Sequence, residues 1–495
     1  MVAGDQTQKY PTMPEVMEEL KIMKDIGFPI AAMSLMGYLK NMISVICMGR
    51  LGSLELAAGA LAIGFTNITG YSILSGLAMG MEPVCTQAFG SCNLSLVKLT
   101  LQRTILMLLC ASLPISLLWI NLEPLMLMLH QNPDITRVAS LYCQFLLPDL
   151  IVNSLLHPLR IYLRSKGTTW PLMWTGLLGA LLHLPFTIFL AFTLHFGVPG
   201  VAVATFITNF TTLIFLLGYI FFTHVPQESL YTPSLMDSSH SSNALVGEEW
   251  GMLIRLALPS CLAVCLEWWW YEFMTLLAGY LHKPRVALAT SAILIQTTSI
   301  MYTLPTALSA CVSTRVGNEL GAGRPTKARL ATITAIALAV LVSMLGLLWT
   351  TLGRETWGRV FTQDGEVLEL TMTILPIIGL CELANCPQTT GGGVLRGSAR
   401  PSIGAAINFY SFYLVGTPVA IVLAFVFELG FMGLCYGLLA AQVTCAFSIA
   451  TVIYKTDWER ESLKAKDLVG RRRGSCSANE NQTTECQVEF LKDVA

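Results

Sequence analysis

Twelve apolar runs of about 20 residues recur along almost the whole chain, and nothing else in the sequence restricts its fold as strongly. At about 1.5 Å per residue, each run is long enough as a helix to cross the roughly 30 Å hydrocarbon core of a bilayer. Inside that core only a helix or a closed barrel satisfies every backbone N–H and C=O. The runs lie at 28–48, 58–81, 100–120, 141–162, 171–194, 199–222, 254–277, 286–309, 328–350, 370–394, 403–426 and 431–453. The chain is therefore expected to be an all-α polytopic membrane protein with twelve transmembrane helices. Charged residues are 12% of the total, against about 25% in soluble proteins, which excludes a soluble enzyme of ordinary composition. A net charge of −1 gives no reason to expect nucleic-acid binding. The 14 cysteines form no CxxC pair, and Cys47, Cys110, Cys265, Cys311 and Cys435 sit in apolar runs. They read as small core residues rather than a disulfide or zinc framework, so no metal and no cofactor are expected.

The longest polar interruption falls in the middle of the chain and divides it into two sets of six spans. The expected organisation is an N-terminal segment 1–27, an N-lobe 28–222, a linker 223–250, a C-lobe 251–454 and a disordered tail 455–495. The first residues are polar and lack the early apolar core of a cleaved signal peptide. With the N-terminus cytoplasmic, the inner loops and their flanks carry eleven Lys and Arg residues against six outside, which places both termini in the cytoplasm. The halves are also related in sequence. Residues 86–100 align with 317–331, 197–210 with 430–443, and Leu163-Arg164 with Leu395-Arg396, at offsets of 231 to 233. Six spans per half make these two parallel six-helix repeats, an arrangement that places a site between lobes able to rock.

Several strings converge on one family: Met81-Glu-Pro-Val-Cys-Thr-Gln-Ala-Phe-Gly90, His157-Pro-Leu-Arg160, Val312-Ser-Thr-Arg-Val-Gly-Asn-Glu-Leu-Gly-Ala322, Pro387-Gln-Thr-Thr-Gly-Gly-Gly-Val-Leu-Arg-Gly-Ser-Ala-Arg-Pro401 and Thr456-Asp-Trp458. From about residue 25 to 458 the chain resembles the multidrug and toxic compound extrusion (MATE) transporters, in their plant DETOXIFICATION branch. The resemblance implies the two-lobe MATE fold and export of small organic solutes in exchange for protons, with the proton gradient as the coupling energy. It also favours an endosomal or vacuolar-route membrane, with the plasma membrane as alternative.

Two acids lie near the middle of spans, Glu267 in span seven and Glu382 in span ten. An ionised side chain there is disfavoured by about 2.5 to 3.5 kcal/mol, so such a residue reads as functional. Removal from water favours the neutral acid, which brings proton uptake into a range that a gradient can drive. The resemblance supports both as proton-coupling residues, although many relatives have Asp at the position of Glu382. A structural alternative pairs each acid permanently with a buried donor such as Gln296 or Gln388. Asn385 shares a helical face with Glu382, and Pro387 with the following glycines suits either a bending element or close packing. Trp268, Trp269, Trp270 and Tyr271 point about 100° apart and cannot all face one cavity. Trp268, Tyr271, Asn385 and Gln388 are candidate cavity residues, as are Gln296 and Tyr302 on resemblance alone. Glu82 and Arg315 read as loop-fixing or inner-gate residues. In the first half LMGYLKN (35–41) and LIVNSLLHP (150–158) carry no matching acid, and Lys40 and Asp149 read as a structural pair. The lobes are thus expected to be chemically unequal.

A rival reading makes the chain a membrane-anchored interaction protein. Glu248-Glu249-Trp250-Gly-Met-Leu253 has the pattern that ubiquitin-like adaptors take up by strand addition, although Trp250 also suits an interfacial anchor for span seven. No nucleophile or metal-ligand constellation supports an enzyme. The Asn-x-Ser/Thr strings at Asn67, Asn93, Asn209 and Asn481 fall in spans or on the cytoplasmic side. Glycosidase treatment of the protein expressed in eukaryotic cells is therefore predicted to leave its electrophoretic mobility unchanged, and a shift would overturn this topology.

Overall fold

The computed structural model describes residues 12–228 and 243–470. Among them are twelve helices long and apolar enough to cross a membrane: Met13–Leu51, Ser53–Gly90, Leu94–Ile120, Pro133–Ser165, Trp170–Thr193, Val198–Thr223, Trp250–Ala278, Pro284–Gly321, Pro325–Leu352, Gly365–Gly397, Pro401–Val426 and Phe431–Tyr454. Starts are marked as local chemistry requires. Pro133, Pro284, Pro325 and Pro401 occupy first turns, where a missing N–H costs nothing. Asn132 and Asp364 accept hydrogen bonds from the first free amides of their helices, at 2.9 and 3.1 Å. Large apolar side chains such as Leu113, Leu117, Leu341 and Leu345 remain exposed, as lipid-facing surfaces require.

The ends of several elements depart from the expected boundaries. The first helix begins about four turns earlier than its apolar run, at Met13. Thr12 N–H donates to Glu15 at 2.8 Å, and the added turns bury Glu19, Met23 and Ile26 against the opposite lobe. This stretch is polar in composition yet packed, so a hydropathy window passes over it. Residues 458–470 of the expected disordered tail form a helix, Trp458–Gly470, with Ala465 and Val469 buried; residues 471–495 lie outside the described residues. The helices flanking the linker reach Glu228 and start again at Asn243, and residues 229–242 are outside the description. Trp250 and Leu253 lie within helix Asn243–Ala278. Leu253 is only 2% exposed, and Arg103 stacks over the Trp250 ring at 5.8 Å. A helical backbone has no free strand edge to add to a sheet, so the adaptor motif is replaced here by a packing contact.

The halves meet with backbone on backbone, close to the helix Trp458–Gly470. A Cβ on Gly90 would stand 2.0 Å from the Asn318 carbonyl, and one on Gly321 would stand 2.1 Å from the Gln87 carbonyl. Gly90 and Gly321 are repeat mates, as are Gln87 and Asn318. The Gln87 side chain donates to Gly397 O at 2.9 Å, and the Asn318 side chain donates to Ser165 O, again a repeat mate, at 3.3 Å. Each contact thus occurs twice, related by a local twofold axis. In the C-lobe, Gly393 and Gly397 let span ten lie directly on Ser309 and Ser313 of span eight, so part of the glycine run serves close packing. Gly321→Ala is predicted to cost about 1 to 3 kcal/mol, because the new methyl overlaps a carbonyl that cannot move away. Gly218→Ala, with open space around it, should be neutral, and thermal unfolding of the purified variants compares the two.

Candidate functional site

Span seven carries Glu267 to a cavity wall that it shares with Tyr302 of span eight. Tyr302 stands at the joint between the helical segments Pro284–Met301 and Thr303–Gly321, so the break in span eight places its side chain. Both residues line a cavity of about 190 Å³, together with Trp268, Gln388, Arg164 and Arg396. Glu382 lies behind this wall and is buried, and the Asn385 amide donates to it at 3.0 Å. Gly346 of span nine leaves room for the Glu382 stem, 3.3 Å from where a Cβ would stand. Tyr271 lies within electrostatic range of both acids and accepts a long hydrogen bond from Gln442, at 3.4 Å.

The four aromatic residues following Glu267 fan out as a helix requires. Trp268 faces the cavity and Tyr271 the acids. Trp269 donates to Ile68 O of the other lobe at 3.2 Å, while Trp270 is fully buried against Phe273, Phe412 and Tyr413. Gln296 is turned elsewhere: its side chain accepts from Tyr38 of span one at 3.2 Å, which makes it an inter-lobe contact and leaves it outside the cavity lining. Gln388 lines the cavity with its Oε1 buried and unpartnered among the described residues. Neither Gln296 nor Gln388 is hydrogen-bonded to the acids. Pro387 lies inside the continuous helix Gly365–Gly397.

The first lobe holds a counterpart that the repeat alignment passed over. Asp149 is fully buried in span four, one residue short of the position matching Glu382 at an offset of 232. Tyr71, the repeat mate of Tyr302, donates to Asp149 at 2.5 Å. It does so from the end of a wide helical turn, Asn67–Tyr71. Asn153 donates to Asp149 at 2.8 Å, and Asn209, the mate of Gln442, donates to its other oxygen at 2.8 Å. Lys40 completes the set by donating to the Asn209 side-chain oxygen. An acid, a tyrosine and an amide therefore recur in both lobes, but the first has Lys40 where the second has Tyr271, and Met36 where the second has Glu267. The expectation that the first lobe carries no matching acid is thus corrected: it has Asp149, linked through Asn209 to Lys40, and the lobes remain unequal because Met36 stands opposite Glu267. Tyr71 and Asn209 were readable from the repeat offsets of Tyr302 and Gln442.

At the end of the cavity lined by Arg164 and Arg396, ion pairs cross between the lobes. Glu82, fully buried, meets Arg164 at 2.7 Å and Arg396 at 3.4 Å. Arg315 meets Glu19 with two hydrogen bonds of 2.8 and 2.9 Å and Glu319 at 3.0 Å, while Arg324 meets Glu319 at 2.7 Å. Glu82 and Arg315 thus each join one lobe to the other. The seam is sealed at this end.

The MatE family model matches residues 29–189 and 259–422. Protein DETOXIFICATION 55 of Arabidopsis thaliana is 67% identical over 468 residues, covering 93% of each chain. Protein DETOXIFICATION 48 of the same plant is 48% identical over 467 residues, covering 94% of this chain and 86% of its own. The crystal structure of the eukaryotic MATE transporter AtDTX14 superposes with a TM-score of 0.85 at 29% identity, over 92% of this chain and 100% of that one. With twelve spans and these relatives, the chain belongs to the MATE family of membrane transporters, which are not enzymes.

Proposed function

We propose that the protein exports a small organic solute from the cytosol by proton antiport, with Glu267 and Glu382 as the proton-coupling residues. The observation that carries this reading is the placement of the two acids in one lobe. Glu267 is on the cavity wall beside Tyr302, Glu382 is enclosed with Asn385, and Tyr271 lies near both. A proton arriving at Glu267 cancels its charge and its hold on a cationic or donor group of the solute. Transfer of protonation toward Glu382 changes the contacts of span ten against spans eight and nine, whose glycine-lined seams permit small shifts. The lobes alternate by parting at the inter-lobe ion pairs, which supports a gating role for Glu82 and Arg315. The end holding these pairs is read as cytoplasmic, in a membrane of the endosomal or vacuolar route.

The first lobe takes no part in proton coupling on this reading, because Lys40, linked to Asp149 through the Asn209 amide, supplies a nearby countercharge. Efflux in reconstituted vesicles under an imposed pH gradient tests both halves of the proposal. Glu267→Gln should lower gradient-driven efflux by about tenfold or more and remove its pH dependence, since the amide keeps the shape but carries no titrating proton. Glu382→Asp should retain part of the activity and Glu382→Gln little. Asp149→Asn should keep the wild-type pH midpoint even if its rate falls. A midpoint that moves in Asp149→Asn and stays fixed in Glu267→Gln would transfer the proton site to the first lobe.

A further inference from the structure

The charges that seal the seam do not all balance. Arg315 and Arg324 are matched by Glu19 and Glu319, but Arg164 and Arg396 share the single carboxylate of Glu82. The local twofold accounts for the difference. Arg164 and Arg396 are repeat mates, whereas the mate of Glu82 is Ser313, whose buried hydroxyl has no hydrogen-bond partner among the described residues. Within the seam one positive charge is left over, and the remaining carboxylate on the same cavity is Glu267.

That surplus faces the cavity. Both arginines line it along with Glu267, and the Arg164 Nε is buried without a hydrogen-bond partner. The Arg396 guanidinium turns back along its own helix to lie 3.9 Å from where a Cβ of Gly392 would stand. On the same wall Gln388, 2% exposed, keeps an unpaired Oε1. Span eight gives the spacing between the opposite charges. It accepts from Arg396 at Ser309, at 2.8 Å, and lines the cavity with Glu267 at Tyr302, so about two helical turns, or roughly 10 Å, lie between these two points of the wall.

We propose that the exported solute is amphoteric: a molecule about one ring in size, whose oxyanion meets Arg164 and Arg396 and whose ammonium or N–H donor meets Glu267. The two guanidiniums are offset by Glu82 and, across the cavity, by ionised Glu267, so a purely cationic solute adds an unbalanced positive charge to a poorly solvated site, which is costly. A purely anionic one is repelled by ionised Glu267. An amphoteric solute satisfies both ends, with charge-assisted hydrogen bonds to planar guanidiniums at one of them. Its cationic end is the part that an incoming proton displaces, so the proposal rests on the antiport reading and narrows its substrate.

Calorimetric binding to the purified full-length protein in lipid nanodiscs, at neutral pH and without a gradient, tests this with three matched probes. They are 3-(aminomethyl)benzoate, its methyl ester, which is only a cation, and 3-methylbenzoate, which is only an anion. The zwitterion should bind about tenfold tighter than either of the others. Arg396→Gln should bring it to the affinity of the ester. Glu82→Gln, by removing the internal carboxylate that competes for the same guanidiniums, should strengthen zwitterion binding by about threefold or more. A solely structural role for the cluster would weaken binding in both variants. The wild-type ranking decides by itself if a variant fails to fold: equal or tighter binding of the ester, or no binding of the zwitterion, overturns the proposal. So does a Glu82→Gln protein that binds the zwitterion more weakly. Failure of the antiport reading appears elsewhere, as pH-independent efflux in the vesicle assay.

Discussion

Two glycines, one from each half, lie directly against a backbone carbonyl of the other half, and the geometry of the molecule is referred to those two points. Neither contact admits a side chain, so Gly90 and Gly321 fix how closely the lobes approach. The reciprocal bonds of Gln87 and Asn318 then fix the angle. Because the mates are the same in both directions, Arg164 and Arg396 are brought to equivalent places at one end of the cavity. Glu82, Glu19 and Glu319 fill in around that frame. Without the backbone contact these charges would be separated and hydrated.

Function enters where the twofold fails. Tyr71 and Tyr302, Asn209 and Gln442, and Arg164 and Arg396 obey it, while Lys40 against Tyr271, Met36 against Glu267 and Ser313 against Glu82 do not. The first two departures give the C-lobe two acids and the N-lobe an acid with a cation nearby. The third leaves a guanidinium charge without its own carboxylate. The two lobes share one scaffold, and these three departures from its symmetry make them chemically unequal.

Spans and halves were legible because a bilayer imposes a length and a composition that few other environments require, and because offsets of 231 to 233 survive in the sequence. Glu267 and Glu382 were legible for the same reason, as acids where an acid is costly. Asp149 was seen as a polar residue but missed as a counterpart of Glu382, since a shift of one residue hides the match and only the shared tyrosine and amide restore it. The early start of span one escaped because its turns bury polar side chains, Glu19 foremost, by pairing rather than by hydrophobicity. The helix Trp458–Gly470 escaped similarly: Glu461 is buried beside Arg400 and Lys464, and composition alone reads such a segment as solvated. That Arg164 and Arg396 converge on one carboxylate is a fact of three dimensions, although their equivalence was present in the repeat.

The pairing of Glu19 with Arg315 has a consequence for how the protein meets its medium. Side-chain exposures of 4% and 3% put this pair beyond the reach of mobile ions, whereas Lys283 and Glu366, at 72% and 64%, are bathed in them. Dissolved salt screens charges over about 8 to 10 Å of water, not across packed helices. The sealed end is therefore indifferent to osmotic and ionic swings in the compartment it borders. Opening this latch therefore requires the packed helices themselves to move, since dissolved ions cannot loosen it from outside.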